Sequence, residues 1–146
     1  MYRSTKHYAN EVSCCFRQHL ATESHCQFLH GYALAFTVIF EAERLNEFNW
    51  VVDFGGLTAF KERLKHLFDH KTMVAFDDPQ LPLIQEMESA GILQITLVEA
   101  TGCEAFAELV YSEAHSWLFA NEYWPRVRVQ SVEVREHGAN SAIYTG

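Results

Sequence analysis

Positive charge is scarce in this chain: 11 lysines and arginines stand against 19 aspartates and glutamates, for a net charge of −8. A general nucleic-acid binder needs a basic surface to neutralise phosphates, so no nucleic-acid partner is expected. Acidic charge does not exclude an anionic small molecule, because a few placed cations can hold one. Long apolar runs are also missing. No stretch of roughly 18 or more apolar residues occurs, so no membrane span is expected. The first residues, "MYRSTKHYANEV", contain no apolar signal core. Prolines number only three, and none marks a boundary. There is no repeat, low-complexity stretch or linker. With 49% of residues apolar, residues 1–146 are expected to form a single domain with a usable core. The four cysteines, Cys14, Cys15, Cys26 and Cys103, lack the spacing of a small secreted disulfide scaffold. Reduced thiols in a cytoplasm are the expected state.

The apolar pattern predicts elements. Residues 8–18 read as a strand, and "GYALAFTVIFEA" (residues 31–42), rich in β-branched and aromatic types, as another. "VVDFGGL" reads as a strand, a turn and a helix start, with Asp53 near the cap. Leu57, Phe60, Leu64, Leu67 and Phe68 recur at helical spacing. After a loop through "DDPQLP", a short helix is predicted over residues 83–90, ended by Gly91. "ILQITLV" alternates as a strand. Phe106, Leu109, Val110, Ala114, Trp117 and Leu118 mark a long amphipathic helix, with Thr101 near its cap and Glu104 in its first turn. "RVRVQSVEVRE" and "SAIY" read as closing strands. Strand pairs beside helices, without regular βαβ alternation, predict an α+β fold on an antiparallel sheet.

Three constellations carry chemistry. "SHCQFLHGY" (residues 24–32) places His30 and Tyr32 two apart, so on a strand they share a face and two ligands can converge on one ion. Histidine and cysteine suit zinc. Cys15 and His19 share a face of the preceding strand, but roughly 13 Å of extended backbone separates them, so only one is expected to ligate. The alternative is that one histidine packs on the sheet and the other sits in a polar turn. Cys26 is a nucleophile or proton carrier if a histidine, cation or metal stabilises its thiolate. His25 is its neighbour in sequence, and Asp69–His70 follows a helix end, where the carboxylate can orient the ring. The alternative is a loop cysteine and a helix-terminal Asp-His. Glu136, at the end of an alternating strand, can accept two parallel hydrogen bonds from an amidine-like ring edge, or stand solvated in a turn. Cys103 reads as a small buried residue.

In this order, "CQFLHGY", "VVDFGGL", "FDH", "TGCE" and "VREHGANSAIY" resemble the family of 6-pyruvoyl-tetrahydropterin and 6-carboxytetrahydropterin synthases over roughly residues 12 to 144. The compact "C-x-x-L-H-G" form is more similar to the bacterial carboxy-forming branch. The resemblance implies a tunnelling fold, an antiparallel sheet backed by two helices, assembled into a homo-oligomeric ring, a hexamer, with active sites at subunit interfaces. It implies a lyase that converts 7,8-dihydroneopterin triphosphate to 6-carboxytetrahydropterin with release of acetaldehyde and triphosphate, on the route to queuosine and other deazapurines. A pyruvoyl-type triphosphate elimination and a non-catalytic pterin binder are the alternatives. Cys26 would move a proton, Asp69 and His70 from a neighbouring subunit would relay it, and Glu136 would anchor the pterin. Zinc would activate the substrate's side-chain hydroxyls. The family's three zinc histidines find only partial counterparts: the last position is Tyr32, and a phenol with a free pKa of about 10 must lose a proton to bind. The ligand set is expected to be His19, His30 and Tyr32, or one that recruits Cys15 or His25, or the metal is lost. Cations for the triphosphate are expected among Arg17, Lys71, Arg126 and Arg128.

Overall fold

The computed structural model describes residues 1–9 and 12–146. Its larger sheet grows from alternation. In strand β4 (Ala35–Ala42), Phe36, Val38, Phe40 and Ala42 are buried, and every residue between them is partly exposed. In antiparallel register across from them stand Val134, Val132, Val129 and Val127 of β7 (Val127–His137), also buried. Residues directly opposite share a face of the sheet, so the two strands present one apolar surface. β1 (Tyr2–Tyr8) pairs with the other edge of β4, and β8 (Asn140–Tyr144) with β7, giving the order β1-β4-β7-β8, antiparallel throughout.

Two helices cover that surface. α1 (Thr58–Phe68) buries Phe60, Leu64 and Phe68; α3 (Cys103–Ala120) buries Phe106, Ala107, Val110, Ala114 and Leu118. Both sets follow the three-to-four spacing of one helical face. Phe106 joins the layers. Its ring meets Phe68 of α1 at 5.4 Å and Phe16 at 4.9 Å between centroids, both edge-on.

A second sheet, of order β3-β2-β5-β6, combines both strand directions. β2 (Cys14–Phe16) and β3 (His30–Tyr32) are antiparallel; β2, β5 (Thr72–Ala75) and β6 (Ile95–Val98) run parallel. Helix α2 (Leu81–Ser89) makes the crossover between β5 and β6, as parallel neighbours require.

The α+β architecture, with an antiparallel sheet backed by two helices, is as expected; the second, mixed sheet is a correction. Residues 31–42 do not form one strand but end β3 and make β4, in different sheets, with Leu34 fully buried at the break. The expected strand over 8–18 also divides, into the end of β1 and β2, and its residues 10 and 11 lie outside the described residues. Strand β5 escaped sequence reading because all four of its residues are buried, so nothing alternates. Val51 and Val52 are buried without being strand. Asp53 does not cap α1: its carboxylate accepts from the Gly55 N–H at 2.9 Å, a turn completed before the helix begins.

Candidate functional site

The register of the short β2–β3 hairpin decides which side chains meet. Cys14 lies opposite Tyr32, and Phe16 opposite His30, so these four share a face. On that face Tyr32 stacks on Phe16, centroids 4.0 Å apart and planes 11° apart, and the His30 ring lies 4.4 Å from Tyr32. Cys15 points to the other face, where its Sγ is 3.2 Å from Thr72 Oγ1.

Cys26 sits on a single 3-10 turn, His25–Gln27, whose preceding Ser24 Oγ accepts from the Cys26 N–H at 3.2 Å. The turn is pinned to the segment leaving β2. Gln18 N–H donates to the Cys26 carbonyl at 2.7 Å, and Arg17 to that of Gln27 at 3.3 Å. Thr101 Oγ1 in turn donates to the Arg17 carbonyl at 2.6 Å, which seats the start of α3 on the same segment. Hairpin, turn and helix start therefore meet. The electrostatics record it: burial first, then Cys26, Glu136, Cys103 and Cys14, push the Tyr32 phenol up to about 12. Burial and then Glu136 and Glu104 push the Cys103 thiol up to about 11. Cys103 is buried, as read from sequence, but it borders this cluster.

Asp69 and His70 stand at the exit of α1. Ser13 N–H donates to Asp69 Oδ1 at 3.0 Å, the His70 N–H donates to the Ser13 carbonyl at 2.7 Å, and His70 Nδ1 lies 3.1 Å from Asp69 Oδ2. The Ser13 N–H first, then His70 and Lys65, hold the Asp69 carboxyl below the usual carboxylate range. His70 has φ 57°, a left-handed conformation, and its side chain is 85% exposed. Among the described residues neither Asp69 nor His70 bonds to Cys26.

The metal-ligand candidates are dispersed. His30 Nδ1 bonds the Phe28 carbonyl at 2.9 Å, which fixes the ring and leaves Nε2 as a donor atom. His19 turns instead to Asp77, 3.5 Å away, beside a 360 Å³ cavity lined by Gln18, Ala75 and Thr101. His25 is exposed. Among the described residues no three His, Cys, Asp or Glu side chains gather as for a metal ion. With one imidazole available, a half-buried phenol beside it and Cys15 on the other face, the donors as placed fit zinc poorly.

The candidate cations also separate. Arg17 holds Asp78 through both carboxylate oxygens, at 2.6 and 2.8 Å. Arg126 is spent on the carbonyls of Arg44, Trp50 and Val51. Arg128 faces Glu41 at 3.7 Å, while Lys71 Nζ donates to the neutral Gln94 amide at 2.7 Å. Sequence reading missed His137 and Asn140, which contact Glu136; "EHGAN", with polar side chains either side of a tight turn, was the available signal.

Residues 6–146 match the family of 6-pyruvoyl tetrahydropterin synthase. The protein belongs to this family. Solved structures share the fold. An uncharacterized protein from Wolinella succinogenes, 19% identical, superposes with a TM-score of 0.83 over 99% of this chain and 97% of its own. The 6-pyruvoyl tetrahydropterin synthase of Plasmodium vivax gives 0.69 at 11% identity, over 99% and 98%. That of Caenorhabditis elegans gives 0.66 at 16%, over 100% and 97%. No curated protein matches.

Proposed function

We propose that this member of the family is a lyase that takes 7,8-dihydroneopterin triphosphate and water to 6-carboxytetrahydropterin, acetaldehyde and triphosphate, in the cytoplasm, on the route to queuosine and other deazapurines. The chemistry is internally balanced: the ring gains hydrogen as its attached carbon is oxidised to the carboxyl. The observation that carries the reading is that Cys26, from the same short stretch as Tyr32, and Glu136, from near the end of the chain, both act electrostatically on the Tyr32 phenol. They supply a thiol to move a proton and a carboxylate to hold a ring edge. Glu136 would accept the parallel N–H groups of the pterin. Cys26 would carry a proton from the substrate carbon attached to the ring to the ring itself. His70, exposed and oriented by Asp69, suits a relay that completes the site of a neighbouring subunit in a hexamer. Lys71, next in sequence, would meet the triphosphate. Zinc, which the resemblance implies, would rest on His30 with Tyr32 and His19, or with Cys15 or His25; given their placement, the proposal takes no step from it.

That same donor set favours a second reading, a pterin-binding oligomer without turnover. Mass spectrometry after incubation with the triphosphate separates the two. The carboxypterin, absent with Cys26→Ala, supports the lyase. A pyruvoyl product assigns triphosphate elimination instead. Unchanged but bound substrate favours the binder, and no binding sinks both.

A further inference from the structure

Glu136 is braced by the hairpin it stands on. β7 and β8 are joined through Gly138 and Ala139, and the residues flanking that turn fold back on the carboxylate. Asn140 Nδ2 donates to Glu136 Oε1 at 2.9 Å. His137 Nε2 lies 3.4 Å from the same oxygen. The Ala139 N–H donates to His137 Nδ1 at 3.2 Å, so Nδ1 carries no hydrogen and the proton of the neutral ring is on Nε2. Asn140 Nδ2 is also 3.1 Å from His137 Nε2. Both atoms then bear hydrogen, so this is packing and not a hydrogen bond.

We infer that Asn140 and His137 are positioning residues that aim the Glu136 carboxylate at the ring edge of the ligand. Both act on Oε1. Each carboxylate oxygen accepts about two bonds, so Oε2 keeps its full capacity and Oε1 part of it. A carboxylate held by one oxygen cannot swing, and it presents the other side to two parallel donors, the pattern of a 2-amino-4-oxo ring. A carboxylate free to rotate would lose that freedom on binding, and affinity with it. Asn140 supplies the neutral donor that fixes the group without neutralising it.

The inference rests on the pterin reading above, and a double-mutant cycle tests it. Unphosphorylated 7,8-dihydroneopterin is the fluorescent probe for binding to the full-length protein. Asn140→Ala is expected to weaken binding about tenfold, as loss of a hydrogen bond to a charged group does. Asn140→Asp, which puts like charge beside Glu136, is expected to weaken it further. With the triphosphate substrate the loss should fall on KM and leave kcat within about twofold. In a Glu136→Gln background Asn140→Ala should add nothing, because the residues act as one unit. His137→Asn, on the same exposed turn, is the second variant, expected to weaken binding in the same direction. Unchanged affinity in Asn140→Asp, or additive losses in the cycle, would overturn the inference while leaving pterin binding intact. A wild-type protein that binds no pterin overturns the functional reading itself, and this inference with it.

Discussion

Tyr32 lies flat on Phe16, with 4.0 Å between ring centroids and 11° between planes, and Phe16 is 1% exposed. The phenol is therefore a packed wall of the site as much as a polar group in it. The stacking ties its position to the core, because Phe16 also meets Phe106 of α3. A residue seated this way, beside a thiol and a carboxylate, favours remaining a neutral phenol over ligating a metal.

Replacing it should restore an imidazole pair. His30 already offers Nε2, and residue 32 shares its face. Tyr32→His is expected to raise zinc affinity by about tenfold or more, since imidazole is the better ligand and two would converge. Competition against a zinc-chelating dye measures it. Equal affinity in wild type and variant would show that the two positions do not share an ion.

His70 carries a conformational cost. Its φ of 57° is disfavoured for any residue with a Cβ, by roughly 1 kcal/mol. His70→Gly is expected to raise the unfolding free energy by up to about 1 kcal/mol, read from urea melts. If the ring is the relay, turnover should fall about a hundredfold or more. A gain in stability at full activity would remove His70 from the mechanism.

Arg17 and Asp78 join the segment leaving β2 to the turn before α2. Asp78 is 5% exposed, and the Arg17 hydrogen bonds, with the Gln80 N–H, hold its carboxyl below the usual range. A depressed folded-state pKa means that the unfolded state binds the proton more readily. The pair's stabilisation is thus complete above the ordinary carboxylate pKa and is lost as pH falls through the folded value. Arg17→Met strands a buried carboxylate and is expected to cost about 3 kcal/mol at neutral pH. Stability of the variant should fall less steeply than wild type between about pH 5 and 3. Parallel acid slopes in chemical denaturation would show that the pair contributes nothing.

Helical faces and the alternating strand β7 were legible because they repeat. Phe60, Leu64 and Phe68 recur on one side of α1; along β7, Val127 and Val129 alternate, and so, past a register shift, do Val132 and Val134. Strand β5 was not legible, since burial on both faces erases the period. Neither was the division of residues 31–42. Its two parts differ in the partners that their backbone groups bond, and every residue carries those groups.

The site divides in the same way. The local motifs around Cys26, Asp69–His70 and Glu136 are written in sequence, because each is a few residues of suitable chemistry in a short span. The amino-acid sequence by itself determined which faces are apolar, which residues bear protons, and the family. Only the tertiary structure decided that Cys26, Cys103 and Glu136 act electrostatically on Tyr32, that Cys15 faces away, and that His19 turns to Asp77. Register and packing between distant segments are collective choices of the whole molecule, made by non-local hydrogen bonds and burial that no single stretch encodes.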